Sequence, residues 1–144
     1  VKAMRACLIY TSITGNTKAV MEMIYDALNQ SDITPQLIHV RDLAFETLPS
    51  YDYLIVGTYT FGNGDVPREM MPLYHYLSQT DLRHVRSAII GTGDRFYPYF
   101  CGAVDRFVEP MQQQSDLRVT LKVELYPEQK DRDKLPRLIA SLTK

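Results

Sequence analysis

Residues 53–58 read Tyr-Leu-Ile-Val-Gly-Thr, an apolar run without polar alternation. A strand with one face in water alternates apolar and polar residues, so an unbroken run belongs to a strand covered on both faces. Such strands are built into parallel sheets with helices on either side. Residues 6–10 (Ala-Cys-Leu-Ile-Tyr) and 87–91 (Ser-Ala-Ile-Ile-Gly) repeat the pattern, and residues 37–40, after Pro35, give a shorter example. Residues 118–125 differ. There Val119, Leu121, Val123 and Leu125 alternate with polar residues, as in an edge or late strand.

Helical spacing fills the intervals. Val20, Met21, Ile24, Ala27 and Leu28 predict a helix over residues 17–28, and Val104, Phe107, Val108 and Met111 another over 101–114. A helix over 67–78 can start at Pro67, whereas Pro72 inside it predicts a kink or a shortening. Residues 131–142 predict a final amphipathic helix. Five strands alternating with four helices make an α/β protein with a parallel sheet, and right-handed crossovers leave only a few doubly wound orders. The 144 residues suffice for one domain over 1–144 with a sizeable core. The chain starts at Val1, which leaves open whether an initiator Met was removed or the start trimmed.

In doubly wound sheets ligands bind beyond the carboxyl ends of the strands, which directs attention to three loops. The first, residues 11–17 (Thr-Ser-Ile-Thr-Gly-Asn-Thr), offers four hydroxyls, an amide and a Gly where a helix begins. Helix-start N–H groups lack intrahelical acceptors and favour an anion, and Gly15 allows a tight turn around a phosphate. An ordinary helix cap would need only one Ser or Thr. The loop is not a Walker A sequence, and Lys18 is expected to point outward. The second loop, 58–65, and the third, 91–101, carry Phe61, Phe96, Tyr97, Tyr99 and Phe100 among glycines. Rings at loop tips either pack on the core beneath, a role open to Phe100, or sandwich a flat heterocycle between Phe61 and Tyr97.

Together these loops resemble those of the short-chain flavodoxins, carriers of electrons on flavin mononucleotide (FMN). Residues 12–17 match the family signature [TS]-x-[TS]-G-x-T, residues 58–65 resemble T-Y-T-W-G-x-G-[DE], and residues 93–105 follow the family pattern closely. Residues 118–125 lack the insertion of long-chain members. The resemblance implies a three-layer sandwich around a five-stranded sheet of order 2-1-3-4-5. It implies that Ser12, Ile13, Thr14, Gly15, Asn16 and Thr17 hold the FMN phosphate. Tyr59, Thr60, Phe61, Gly62, Asn63 and Gly64 from the second loop should border the flavin. So should Thr92, Gly93, Asp94, Tyr97, Tyr99, Phe100 and Cys101 from the third. Tyr97 should stack on the outer ring face, with Phe61 where many members place Trp. The Gly62–Asn63 peptide should turn its Gly62 carbonyl toward flavin N5-H upon one-electron reduction.

The function implied is low-potential electron transfer between a flavodoxin or ferredoxin reductase-type donor and an acceptor enzyme, by a monomer without catalytic residues of its own. Competing readings are a flavin-dependent NAD(P)H:quinone reductase, a flavoprotein activator of ribonucleotide reductase, or a flavin-free binding module. A net charge of -1 gives no basic excess for nucleic acid or membrane, and no stretch reaches membrane-spanning length. That charge is unusual against the acidity common among flavodoxins. From Pro67 onward twelve basic residues face ten acidic ones, leaving +2 there and -3 before it. Arg95 in the third loop either raises the second flavin potential by tens of millivolts, a value that Arg95→Glu would lower, or points into water. Cys7 and Cys101 are too few for a disulfide framework, suit a reducing cytoplasm, and read as packing residues. His39, His75 and His84 have no metal spacing, so no metal site is expected, and residues 128–137 read as a solvated helix face.

Overall fold

A computed structural model describes residues 3–144; Val1, on which the question of the chain start turns, lies outside the described residues. Five strands, β1 (Met4–Tyr10), β2 (Ile33–His39), β3 (Tyr53–Tyr59), β4 (Leu82–Gly93) and β5 (Ser115–Glu124), form one sheet. Its order is β2-β1-β3-β4-β5 and every neighbouring pair is parallel, which is the flavodoxin-like arrangement. Register follows the apolar runs: Leu8 lies between Leu37 and Ile55, and Ile55 pairs on its other side with Ala88.

Successive residues of these runs bury opposite faces. Ala6, Leu8, Ile55, Ala88 and Ile90 pack under α1 (Asn16–Asn29) and α5 (Leu135–Thr143), with Ile24, Leu28 and Leu142. Cys7, Ile9, Leu54, Val56 and Ile89 pack under α2 (Met71–Gln79) and α3 (Gly102–Gln114), with Leu73, Leu77 and Phe107. Two cores on one sheet explain why three strands carry almost no polar residues. Gly57 marks a close approach on the α1 side: a Cβ there would lie 2.5 Å from Met21 Sδ, so the thioether occupies that space.

Several boundaries differ from expectation. β2 starts at Ile33 rather than 37 and includes Pro35, which an edge strand tolerates because the side facing solvent needs no N–H donor. Pro72 does not kink α2. A short 3-10 turn (Arg68–Met70) takes up the start of the expected helix, which places Pro72 in the first turn of α2, where its missing N–H costs nothing. β4 extends beyond residues 87–91 in both directions. β5 begins at Ser115, directly after α3, and stops before Leu125. The expected final helix is broken: α4 (Gln129–Arg132) is separate from α5, whose first turn holds Pro136. Reciprocal bonds between Glu128 and Asp131 close the start of α4 as a capping box. No helix among the described residues is long and apolar enough to cross a membrane.

Candidate functional site

The carboxyl ends of β1, β3, β4 and β5 open on one edge of the sheet, and the loops there are tied together before any ligand is considered. Thr11, fully buried, donates its N–H to Gly57 O at 3.2 Å, while its Oγ1 has no hydrogen-bond partner. Ser12 Oγ accepts from Gly15 N–H at 3.1 Å. Gly15 precedes α1 at φ 92 with no side-chain cap. A Cβ there would meet nothing within 4 Å, so the left-handed backbone, not crowding, calls for glycine. The first-turn N–H groups of Asn16, Thr17 and Lys18 have no intrahelical acceptor and face an open helix start. Thr17 also ties two elements together. It is buried, and its Oγ1 bonds Thr92 Oγ1 at 2.6 Å, fastening the start of α1 to the end of β4.

The second loop is a closed turn. Phe61 and Asp65 exchange backbone bonds of 2.8 Å in both directions, with Gly62 at φ 55 and Gly64 at φ 87 between them. Thr60 Oγ1 accepts from Ala103 N–H at 3.1 Å, which caps α3 with a residue of this loop. Gly102 and Gly64 touch backbone to backbone: a Cβ on Gly102 would lie 2.6 Å from Gly64 Cα. In the third loop Asp94 Oδ1 accepts from Phe96 N–H at 2.9 Å and Asp94 O accepts from Tyr97 N–H at 3.1 Å. Those two bonds turn the chain so that Tyr97 stands out, 61% exposed. Cys101 precedes α3 at φ 52 and is buried, and burial pushes its thiol up to about 11, so it is a packing residue at the cavity floor rather than an activated thiol. Burial, reinforced by Glu69, also raises the Tyr59 hydroxyl above its usual value.

The loops enclose a cavity of about 420 Å³ lined by Thr14, Asn16, Tyr59, Thr60, Gly62, Thr92, Gly93, Asp94, Tyr97, Tyr99 and Cys101. All of these were expected from sequence. Leu125 completes the lining and was not expected there; its place in an alternating apolar pattern assigned it to the last strand. Asn63, Gly64 and Phe100 lie instead along a neighbouring depression, to which Tyr99 also contributes. Phe61, 60% exposed, and Ile13, 72% exposed, lie outside both linings, as do Ser12, Gly15 and Thr17. The exposed large hydrophobics among the described residues are Ile13, Phe61, Phe96, Tyr97, Tyr99, Leu125 and Tyr126, every one in a loop at this edge.

Arg95 is not among the residues that line the cavity. Its guanidinium lies 4.4 Å from the Phe100 ring centroid and 3.8 Å from Glu124 Oε1, so the third-loop cation carries its own counter-charge. The histidines have local roles: His39 Nδ1 accepts from Arg41 N–H, His84 Nε2 lies 2.8 Å from Pro49 O, and the His75 ring packs edge-on to Tyr74. Among the described residues no group of three or more His, Cys, Asp or Glu could hold a metal ion.

The flavodoxin family model matches residues 8–134, spanning the sheet and all three loops. The chain belongs to the flavodoxin family. It is 37% identical over 127 residues to the probable flavodoxin 1 of Bacillus subtilis, covering 86% of this chain and 80% of that one. It is 31% identical over 129 residues to a flavodoxin of Maridesulfovibrio salexigens, covering 86% and 88%. Among solved structures, oxidised flavodoxin 1 from Bacillus cereus superposes with a TM-score of 0.89 at 29% identity over 96% of both chains. The Streptococcus pneumoniae flavodoxin gives 0.91 at 29%, over 96% of this chain and 97% of that one. With β5 unbroken from Ser115 to Glu124, this flavodoxin has the short-chain form.

Proposed function

We propose that the cavity binds FMN and that the protein carries electrons between a reductase-type donor and an acceptor enzyme, as a cytoplasmic monomer with no substrate site of its own. The observation that carries this reading is the convergence of the uncapped start of α1, the glycine-turned second loop and the exposed rings of the third loop on one cavity. Its volume falls within the roughly 300–1,000 Å³ of cofactor and small-molecule sites. The residues fit the group. Unspent N–H donors at a helix start suit a phosphate, and Tyr97 and Tyr99 present rings that no core residue covers. Thr11 Oγ1, a buried donor without an acceptor, precedes the phosphate loop.

Bound FMN would supply one-electron redox chemistry. The protein's part is to hold and shield. Residues 12–17 would hold the phosphate, with the open first-turn N–H groups of Asn16 and Thr17 donating to it, Thr60 and residues 92–94 would border the ring system, and Tyr97 would cover a face. Gly62 can turn its peptide with little strain, which would let its carbonyl accept a hydrogen bond from a flavin N–H. The free buried thiols of Cys7 and Cys101 agree with a reducing compartment.

The test is an absorbance spectrum of the purified protein, followed by titration of the apoprotein with FMN and an NADPH oxidation assay without partners. Stoichiometric FMN binding with negligible NADPH turnover is the expected result. Rapid turnover would replace the carrier with a reductase. Protein that remains colourless and takes up no FMN would refute the flavin reading.

A further inference from the structure

We infer that the loop after β5 supplies a fourth wall to the cofactor site, through Leu125, and that this wall touches the flavin ring rather than the phosphate. The inference rests on the FMN reading above. Leu125 is a bulky residue held at φ 56, in the left-handed region that favours glycine or asparagine. A chain selected only for turning here would carry one of those two. The backbone is fixed in this state by Leu125 N–H donating to Gly93 O at 2.8 Å, directly beyond the last paired residues of β4 and β5, Gly93 and Glu124. The side chain gains little from the fold itself: it is 49% exposed and belongs to neither core cluster. Yet it lines the cavity, together with Tyr97 and Tyr99. An unfavourable backbone state that presents an apolar side chain to a cavity is strain retained for a contact.

Position decides which part of the ligand is touched. The phosphate loop follows β1, and β3 and β4 separate β1 from β5 in the sheet. Leu125 therefore stands across the cavity from Thr14 and Asn16, on the side of the aromatic loop. An apolar group there meets the heterocycle.

The experiment measures apoprotein thermal stability and the affinities for FMN and riboflavin, by quenching of flavin fluorescence, in wild type and Leu125→Gly. Glycine accepts φ 56 without strain, so the apoprotein midpoint should rise by about 2–3 °C. Loss of the apolar contact should weaken FMN and riboflavin alike, by about five- to tenfold. More stable yet weaker binding is a combination that a purely structural residue cannot give. Unchanged affinities overturn the inference, as does a loss confined to FMN, which would put Leu125 at the phosphate. A midpoint and affinities that fall together also overturn it, because the residue would then act by holding the fold. Wild-type protein that quenches neither flavin overturns the FMN reading itself and takes this inference with it.

Discussion

Gly102→Ala tests whether the second loop is held rigidly against the start of α3. A Cβ at this position would lie 2.6 Å from Gly64 Cα, 2.9 Å from Gly64 O and 3.2 Å from Gly64 C. Carbon atoms pack at about 3.5–4.0 Å, so the Gly64 backbone would have to retreat by about 1 Å. Retreat is blocked. Paired backbone bonds between Phe61 and Asp65 close the turn, and Gly64 is already crowded: a Cβ on it would lie 2.8 Å from Tyr99 Cβ. Two effects then compete. Alanine is the better helix former by about 0.8–1.0 kcal/mol, whereas overpacking against backbone costs about 1–3 kcal/mol. Because the obstacle is main chain rather than a flexible side chain, the second effect should win by about 1–2 kcal/mol. That corresponds to a fall of about 3–6 °C in the apoprotein midpoint. Displacing Gly62 and Thr60 should also weaken FMN binding by about tenfold. Thermal denaturation and a fluorescence titration read the two effects separately. A midpoint that rises, with FMN affinity kept, would refute the claim that this loop is clamped.

Three further outcomes are expected. Gly91→Ala places a Cβ 2.2 Å from Val104 Cγ2, and since that atom is side chain, Val104→Ala in the same protein should recover much of the about 1–3 kcal/mol lost, as read by urea denaturation. Burial raises the Cys7 thiol from 9.0 to about 12 and the Cys101 thiol from 9.0 to about 11. The folded protein keeps these protons where the unfolded chain loses them, so stability should be intact below pH 9 and fall above it, by up to about 1.4 kcal/mol per pH unit for Cys7 and less for Cys101 beneath the cavity. The drop in urea midpoint between pH 8 and pH 10 should shrink in Cys7→Ala. Finally, Arg95→Gln combined with Glu124→Gln removes a local ion pair and should move the second one-electron potential of the FMN complex by less than about 10 mV in spectroelectrochemistry.

Those strands and loops that were legible in the sequence were legible for one reason: their physics is local. Residues 53–58 reveal a strand buried on both faces because burial on each face demands apolar residues at successive positions. The start of α1 shows itself by hydroxyls and a glycine adjacent to a helical period. What escaped depends on partners far along the chain. Thr17 reads as one more loop hydroxyl, and nothing local shows that it also bonds Thr92, in the third strand further along the chain, at 2.6 Å. Pro35 seems to precede a strand until the sheet order makes β2 an edge. Leu125 fits the alternation of the last strand, and only the pairing of its N–H with Gly93 marks where it leaves β5 for the cavity. No sequence period encodes such a turn; the left-handed residue there is not a glycine that would announce it.

Net charge is a sum and does not show where charges sit. A value of -1 with +2 in the later part of the chain leaves open whether Arg95 acts on a flavin or points into water. The structure places some of the cations there in local pairs: Arg83 with Asp81, Arg118 with Asp116, Lys122 with Asp105, Arg106 with Asp65, Lys130 with Glu128, and Arg95 with Glu124. A pair of opposite charges falls off with distance faster than a single charge, and solvent screens what is left. Exposed pairs of this kind also contribute little to stability, at most about 1 kcal/mol each. Around the cavity the surface is set instead by Ile13, Phe61, Phe96, Tyr97, Tyr99, Leu125 and Tyr126. A redox partner docking at this edge would meet apolar area first, and its association rate should respond to salt less steeply than in a strongly acidic flavodoxin.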